Sequence, residues 1–429
     1  MYKTVEELQE AGRKDIDKLV YTAIFTPEEN LKQQARLLIR KIADENNIFP
    51  ASIKPLYAAI GRQEVRGFTV PAFNIRTLTY DSARILFSLA HKKNVGAMIF
   101  EIARSEIGYT QQRPDEYAIA VLAAAIKEGY QGPVFIQGDH FQFSKSKFRE
   151  DPAQETRKIE SLIKESIDAT FYNIDIDAST LVDLTKDDLE EQQGDNFKMT
   201  ARLTKFIRNN QPKQVAIAIG GEIGHIGGRN STTSEFEAFM KGYLSKIKQE
   251  EGISKVSVQT GTSHGGLPLL DGTIADVKLD FSVLKDIGNV ARKKYGLGGA
   301  VQHGASTLPN ELFDKFVTAG TLEIHLATGF QNIVYDNLPV DIKEVMYRWI
   351  SENLKDEREK GWSDEQFLYK TRKKALGPFK KELWFLREVE KEQIREKLEA
   401  QFLLLFDKLN VSNTKRTVEK YVQNTKKPH

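Results

Sequence analysis

The chain of 429 residues contains no cysteine. Disulfides and thiolate metal ligands are therefore excluded, and any transition-metal site must use His, Asp or Glu. Charges of the two signs nearly cancel, with 62 Lys and Arg against 60 Asp and Glu, so no overall field attracts nucleic acid. The sequence also lacks an uncharged apolar stretch that could span a bilayer and the apolar core of a signal peptide. We expect a cytoplasmic protein with neither a nucleic-acid nor a membrane partner.

A Gly-x-Gly-x-x-Gly fingerprint after an early strand is absent as well, which argues against a dinucleotide-binding, doubly wound sheet, the alternative fold. What is present is a regular alternation of apolar runs and amphipathic segments. This alternation is typical of a parallel sheet, and eight units of this size predict an α/β fold, the (β/α)8 TIM barrel. The predicted strands are Phe68–Ile75, Val95–Ile102, Val134–Gln137, Ala169–Ile176, Gln214–Ile219, Val256–Thr260, Gly299–Gln302 and Thr321–Leu326.

Helical patterns flank the barrel on both sides. We predict an N-terminal helical segment over residues 1–66, a catalytic barrel over 67–337 and a C-terminal helical extension over 338–429. Thr4 with Glu7, and Ser363 with Gln366, have the spacing of helix starts. The tail from Asn410 is expected to fray. An extension of this kind packs on its own barrel or on a second subunit, and a homo-oligomer, a dimer or tetramer, is expected.

Three histidines, of only seven in the chain, follow predicted strands: His140, His264 and His303. Strand ends of one direction meet at one face of a barrel, where the chemistry of such enzymes takes place. Zinc binds neutral imidazole, and catalytic zinc sites commonly have three protein ligands. We therefore predict a three-histidine metal site. Singly, each histidine could instead be satisfied by a backbone carbonyl.

Carboxylates occupy neighbouring strand ends. Asp139 directly precedes His140, and a turn of the backbone there would bring both to the rim as acid/base and ligand. Its alternative role is to cap the following helix. Asp177 and Glu222 end the fourth and fifth strands and could orient ligand imidazoles or hold a second metal. His225, in a Gly-rich loop, is a weaker ligand candidate.

Small residues and hydroxyls follow the last two strands. They lie in Gly304-Ala305-Ser306-Thr307 and Ala327-Thr328-Gly329. Loops at these positions form the usual phosphate site of a barrel, where backbone N–H groups and a helix N-terminus face the anion. A phosphorylated substrate is predicted, and two ordinary turns are the alternative.

Taken together, six short stretches resemble the class II, metal-dependent ketose-bisphosphate aldolases. They are Val70-Pro71-Ala72-Phe73-Asn74, Gly138-Asp139-His140, Ile176-Asp177-Ala178-Ser179, Gly221-Glu222-Ile223-Gly224-His225-Ile226-Gly227-Gly228, Gly261-Thr262-Ser263-His264-Gly265 and His303-Gly304-Ala305-Ser306. The resemblance implies Zn²⁺ on His140, His264 and His303 and an acid/base role for Asp139. It implies a second divalent or monovalent cation near Asp177 and Glu222.

The resemblance also implies which residues hold the substrate: Asn74, Gly265, Gly304, Ala305, Ser306, His325 and Thr328. The chain departs from the family on strand 8, where Glu323, His325 and Ala327 stand in place of a Lys, an Asn and an Asp. On strand 2 the family places a serine against the phosphate, and the stretch around Ala103 lacks this serine at the matching position. Arg104 and Arg229 are candidates for extra anion contacts.

The implied reaction is the cleavage and condensation of a phosphorylated ketose, similar to fructose 1,6-bisphosphate, to dihydroxyacetone phosphate and an aldehyde through a zinc-stabilised enediolate. Three other functions are alternatives. A Schiff-base aldolase needs a strand-end lysine, and Lys255 lies at the wrong end of its strand. A metallohydrolase needs a two-histidine first strand, which is absent. A non-catalytic barrel subunit of a tagatose-bisphosphate aldolase complex would lack the metal site.

Overall fold

The barrel closes as a ring of parallel strands. A computed structural model describes residues 1–224, 229–261 and 279–424. The strands are β1 Ile48–Pro50, β2 Val70–Asn74, β3 Ile99–Ala103, β4 Gly132–Gln142, β5 Asn173–Asp177, β6 Ala218–Glu222, β7 Lys255–Val258, β8 Ala300–Gln302 and β9 Glu323–Leu326. Each of β2 to β9 pairs in parallel with its sequence neighbours, and β2 also pairs with β9. These eight strands form the predicted (β/α)8 barrel, which is confirmed.

The remaining strand, β1, corrects the prediction that the N-terminal segment, residues 1–66, is helical. It pairs in parallel with the first residues of β4, with Ile48 opposite Gly132 and Pro50 opposite Val134. This pairing is possible because β4 starts two residues earlier, and ends five later, than the predicted Val134–Gln137. A three-residue strand has too few residues to show a period-2 pattern, so periodicity could not detect it.

Helices surround the barrel and extend it at both ends. Their bounds are α1 Val5–Ala11, α2 Ile16–Phe25, α3 Glu29–Glu45, α4 Lys54–Gly61, α5 Thr79–Lys93, α6 Arg104–Tyr109, α7 Pro114–Lys127, α8 Lys145–Glu150, α9 Pro152–Asp168, α10 Leu189–Gln192, α11 Gly194–Asn210, α12 Thr233–Leu244, α13 Phe281–Tyr295, α14 Phe313–Thr318, α15 Thr328–Asp336, α16 Val340–Asn353, α17 Asp364–Thr371, α18 Lys380–Trp384, α19 Glu388–Lys408 and α20 Lys415–Tyr421. Short 3-10 turns cover Ser179–Leu181, Gln249–Glu251, Asn310–Leu312, Lys355–Glu357 and Arg372–Ala375. In the described residues, no helix is long and apolar enough to cross a membrane.

The predicted helix starts have the expected hydrogen bonds. The Thr4 hydroxyl accepts from the Glu7 N–H at 3.2 Å, and the Ser363 hydroxyl accepts from the Gln366 N–H at 3.2 Å. In both cases the side-chain oxygen satisfies one of the N–H groups that lack a partner at a helix N-terminus.

The prediction that the tail frays from Asn410 is wrong for the described residues, because this segment folds back beneath the barrel. The Thr414 hydroxyl accepts hydrogen bonds from the backbone N–H groups of Gly96 and Ala97, both at 3.1 Å. Val418 on α20 is buried against α4. The sequence of α20 is short and highly charged, so its packing on α4 could not be predicted from the sequence.

The barrel interior is unusually polar. Five ionisable side chains on the strands are almost completely buried there: Glu101, Asp175, Lys255, Glu323 and His325. They alternate along their strands with apolar residues that face the surrounding helices, as the period of 2 in a strand requires. Barrel cores are more often filled by branched apolar residues.

Candidate active site

A bulge in β4 brings Asp139 and His140 to the same cavity. The register of β4 against β5 shifts between Gly138 and Phe141, and His140 has a φ of 41°, in the left-handed region. Neighbours on a regular strand point to opposite faces, whereas a bulge redirects one of them. The backbone turn expected at this position is therefore present, although it lies inside a longer strand and not at its end.

His140 and His303 meet at the C-terminal end of the barrel. Their ring centroids lie 4.1 Å apart. The Nδ1 atom of His140 lies 3.1 Å from Asp177 Oδ2 and 3.2 Å from Glu222 Oε2. One donor atom each from His140, Glu222 and His303 lies within 4.8 Å of the others. The structure thus brings together four of the five predicted metal ligands.

The fifth predicted ligand, His264, lies outside the described residues, as do Gly265 and His225. The ligands that are described offer imidazole nitrogens and carboxylate oxygens, the donor types that zinc accepts when thiolates are absent. Their spacing allows one ion to contact several of them. The residues therefore fit a divalent cation such as zinc at this position.

The two carboxylates beside His140 differ in their protonation. Burial alone would raise the pKa of Asp177, but hydrogen bonds from His140, Ser179 and Gln142 hold it below its usual range. Burial and the neighbouring Asp177 charge raise the pKa of Glu222 to about 7. Asp177 is therefore the stronger anionic partner of His140, and Glu222 can release a proton when a cation binds.

Asp139 lies on the floor of the cavity between an amide and two imidazoles. Its Oδ2 accepts a long hydrogen bond of 3.5 Å from Asn74 Nδ2. Its Oδ1 lies 3.2 Å from His325 Nδ1 and 4.0 Å from His303 Nδ1. A carboxylate held in this way is positioned to exchange a proton with a ligand in the cavity.

His325 connects this floor to the polar barrel interior. Its ring stacks on His303 with centroids 4.0 Å apart, and its Nε2 lies 2.7 Å from Glu323 Oε1. Its Nδ1 is also 3.1 Å from Glu101 Oε2. Burial would lower the pKa of His325, but the charges of Glu101 and Asp139 raise it well above its ordinary value. His325 is thus held from both ring nitrogens.

Lys255 balances the charge beneath His325. Its ammonium donates to Gln137 Oε1 at 2.8 Å and to Asp175 Oδ2 at 2.9 Å, and it also bonds Glu323 Oε1. Burial would lower the pKa of Lys255, but Asp175 and Glu323 raise it. As expected from the sequence, this lysine starts its strand. Its ammonium group hydrogen-bonds only buried side chains among the described residues.

The predicted phosphate loops lie against each other. Gly329 N–H donates to Ser306 Oγ at 3.0 Å, and a Cβ on Gly329 would approach Ser306 O to 2.3 Å, so only glycine fits. Gly304 has a φ of 69°, which glycine adopts without strain. Gly304, Ser306 and Thr328 line the cavity, whereas Ala305 is fully buried.

Asp139, His140, His303 and His325 line one cavity of about 580 Å³ together with Gly304, Ser306 and Thr328. Asp177, Glu222, Lys255 and Glu323 are not among its lining residues. Five basic side chains also line the cavity: Arg76, Arg104, Lys147, Lys370 and Lys373. Of these, only Arg104 was predicted from the sequence, as a candidate for an anion contact. Arg104, considered for an anion contact, pairs with Glu155 at 2.7 Å. Arg229, considered likewise, pairs with Glu235 at 2.6 Å and does not line the cavity.

The interior acids and the distant lysines were not predicted from the sequence, for different reasons. Glu101 lies within Phe100-Glu101-Ile102, and a charge inside an otherwise apolar strand was a visible signal of a polar interior. Lys370 and Lys373 carry no such signal, because the segment of α17 and the following 3-10 turn is highly charged throughout. Only the tertiary fold brings them to the cavity.

Two solved structures with low sequence identity share this fold, at TM-scores of 0.50 and 0.56. The chain is similar to a probable tagatose 6 phosphate kinase from Sinorhizobium meliloti 1021, with 15% identity, 82% of this chain and 99% of that chain covered, and a TM-score of 0.56. Fructose-bisphosphate aldolase from Campylobacter jejuni is 16% identical, with 84% of this chain and 95% of that chain covered, and a TM-score of 0.50. The YdjI aldolase from Escherichia coli K12 is 16% identical, with 79% of this chain and 98% of that chain covered, and a TM-score of 0.46.

No curated protein matches the chain. The family model described as fructose-bisphosphate aldolase class-II, in contrast, matches residues 57–393, which include every strand of the barrel and most of the C-terminal extension. Membership of this family supports a lyase of the aldolase type. The chain belongs to the class II fructose-bisphosphate aldolase family.

Proposed function

We propose that the chain is a metal-dependent aldolase. It cleaves a phosphorylated ketose, similar to fructose 1,6-bisphosphate, to dihydroxyacetone phosphate and an aldehyde, and it condenses these two products in the reverse direction. The observation that carries the proposal is the floor of the cavity. Asp139, which can move a proton, lies there beside two imidazoles that can hold a metal, His140 and His303. An aldol cleavage needs these two functions side by side.

We propose that His140, His303 and His264 hold zinc, with Asp177 and Glu222 available to a second cation position. When bound, zinc supplies Lewis acidity that stabilises the negative charge developing on the substrate oxygens as the C3–C4 bond breaks. The spacing of His140, Glu222 and His303 supports this assignment.

We assign the proton transfer to Asp139, which removes the C4 hydroxyl proton in cleavage and returns it in condensation. Asn74 and His325 hold its two oxygens, so the carboxylate does not rotate away from the substrate. His325 replaces the asparagine of the family and would contact the dihydroxyacetone end. Gly304, Ser306 and Thr328 would hold one phosphate, which aligns the reacting carbons.

The test joins metal analysis to a cleavage screen over phosphorylated ketoses. The wild type should contain zinc and cleave at least one of them. Asp139→Asn should lower kcat by roughly 10²–10⁴-fold, the usual contribution of general acid–base catalysis, with zinc retained. The exposed Asp187→Asn is the matched control and should change neither. Equal activity of Asp139→Asn and wild type would refute the assignment.

Two rival functions make opposite predictions in the same preparation. A Schiff-base enzyme would give a covalent adduct with borohydride and substrate, which the burial of Lys255 among Gln137, Asp175 and Glu323 argues against. A non-catalytic subunit of a tagatose-bisphosphate aldolase complex is favoured by the rebuilt strand 8, with Glu323 and His325. That rival predicts neither zinc nor cleavage in the purified chain.

We also propose a homo-oligomer. Four large apolar side chains of the C-terminal extension are about half or more exposed: Val340 at 68%, Val345 at 48%, Phe385 at 48% and Val389 at 64%. Exposed apolar side chains of this kind are common at subunit contacts. Light scattering on the purified protein should give a dimer or tetramer, and a monomer at micromolar concentration would contradict the proposal.

A further inference from the structure

The C-terminal extension reaches over its own barrel and forms part of the cavity wall. Three of its residues line the cavity: Tyr369 and Lys370 on α17, and Lys373 on the following 3-10 turn. Tyr335 on α15 donates a hydrogen bond to the carbonyl of Arg372, which anchors the turn. The extension is therefore part of the site and not only a packing layer.

The two lysines of this wall have no polar partner among the described residues. Among the described residues, the ammonium groups of Lys370 and Lys373 make no hydrogen bond or ion pair, although both side chains are half-buried. The ammonium of Lys373 lies 5.8 Å from the Tyr109 ring centroid, at the edge of a cation–π contact. The neighbouring Lys374, by contrast, pairs with Glu357 and does not line the cavity.

A third cation, Arg76, faces the same wall from the loop after β2. Its guanidinium bonds Glu106 at 2.7 Å, Thr328 Oγ1 at 3.3 Å and Gln331 Oε1 at 3.0 Å. Glu106 is the carboxylate among these contacts, and it also accepts the Ala103 N–H at 2.8 Å. Glu106 pairs with Arg76, whereas Lys370 and Lys373 have no ion-pair partner among the described residues.

The cost of this arrangement argues for an anionic ligand. Partial burial and the nearby charge of Arg76 lower the pKa of Lys373. Side chains that are kept charged, partly desolvated and close to one another are unfavourable unless a ligand compensates them. Arg and Lys donors around one concave wall form the usual recognition site for phosphate.

Apart from Glu106, which pairs with Arg76, the acids and the cations discussed here lie in different parts of the cavity. The acids Glu101 and Asp139 lie on the floor with the histidines, whereas Arg76, Lys370 and Lys373 lie on the wall. A ligand that satisfies both zones carries a polar, metal-binding part for the floor and a phosphate for the wall. This inference therefore rests on the proposed function, whose substrate has both parts.

We propose that Lys370 and Lys373 of the extension, with Arg76, form a subsite for a phosphate group of the substrate, supplied within one chain. The extension then determines which ketoses are accepted, because a substrate without a phosphate at this end leaves the cations unpaired. The charge of the substrate at this end, and not its hydroxyl stereochemistry, is what this wall selects.

Binding of inorganic phosphate tests the subsite without any catalysis. We expect calorimetry on the full chain to show phosphate binding that Lys370→Met and Lys373→Met each weaken by about tenfold or more, the range for a charged hydrogen bond. Lys374→Met is the matched control and should bind as the wild type. Equal affinity in all four proteins, or equal weakening by Lys374→Met, would overturn the proposal.

Kinetics identify the group that occupies the subsite. Phosphate should inhibit cleavage competitively, and Lys373→Met should raise KM about tenfold or more for a phosphorylated ketose with little change in kcat. Noncompetitive inhibition would mean a separate effector site and would overturn the substrate assignment. Lys373→Gln, with retained thermal stability, guards against misfolding.

The outcomes also separate the two proposals. A chain that binds phosphate through Lys370 and Lys373 but cleaves no ketose refutes the aldolase and leaves the anion subsite standing. A chain that cleaves ketoses with unchanged phosphate affinity in both lysine variants refutes the subsite and leaves the aldolase standing.

Discussion

Replacing Lys255 by methionine tests the polar barrel interior that carries His325. The Lys255 side chain is 1% exposed, and it holds the carboxylates of Asp175 and Glu323. Removing one partner of a buried pair costs about 3–5 kcal/mol, because the remaining charges lose their compensation. Native domains are stable by about 5–15 kcal/mol, so Lys255→Met should remove a large part of the free energy of unfolding.

Denaturant unfolding, followed by circular dichroism at pH 7.5, measures this loss. The matched control is Lys241→Met, whose ion pair with Glu190 lies at the surface with the lysine 72% exposed. A surface pair contributes about 0–1 kcal/mol. If Lys255→Met costs no more than Lys241→Met, the interior is not held by charge pairing and the reasoning fails.

A second variant isolates the charge from the change in shape. Asp175 bonds Lys255 through Oδ2, while its Oδ1 has no hydrogen-bond partner among the described residues. Asp175→Asn therefore removes one charge with few lost contacts. We expect Lys255→Met combined with Asp175→Asn to be less destabilised than the sum of the single variants, by about 1–3 kcal/mol. Strict additivity would contradict the coupling.

Three further predictions concern the metal site, its pH dependence and the tail. His264→Ala should lose zinc and activity together, measured by metal analysis, as should His140→Ala; an active, zinc-containing His264→Ala variant would show that this residue is not a ligand. In metal-free protein, the raised pKa of Glu222, about 7, means that the native state keeps a proton that the unfolded state releases above its ordinary pKa of 4.5. The free energy of unfolding should therefore fall as pH rises from 4.5 to 7, by up to about 3 kcal/mol, and Glu222→Gln should flatten this slope. Thr414→Val removes the acceptor of two buried N–H groups and should cost about 1–3 kcal/mol in denaturant unfolding, whereas the exposed Thr185→Val should cost little.

Much of the architecture was predictable because it depends on local patterns. The alternation of apolar runs and amphipathic segments predicted eight parallel strands, and the C-terminal ends of parallel strands must meet at one face. That geometric necessity predicted the meeting of His140 and His303, which are distant in sequence. The strand ends were less accurate, as β4 shows, because hydrogen bonding extends a strand beyond its apolar run.

The site was only partly predictable because several of its residues depend on contacts without a local signature. A bulge at His140 determines that Asp139 and His140 share a cavity, and bulges arise from pairing with the neighbouring strand. The proximity of Lys373 and Arg76 to one wall depends on how the extension packs on the barrel.

The sequence by itself determined the number and direction of the strands, the histidines and carboxylates at their ends, and the exclusion of thiolate ligands, since these follow from periodicity and residue type. Only the tertiary structure decided which charges face each other. It pairs Lys255 with Asp175 and Glu323, and it brings Lys370 and Lys373 to the cavity. The physical reason is that side-chain partners in a closed barrel come from strands and helices far apart in the chain, and no local period encodes their distance.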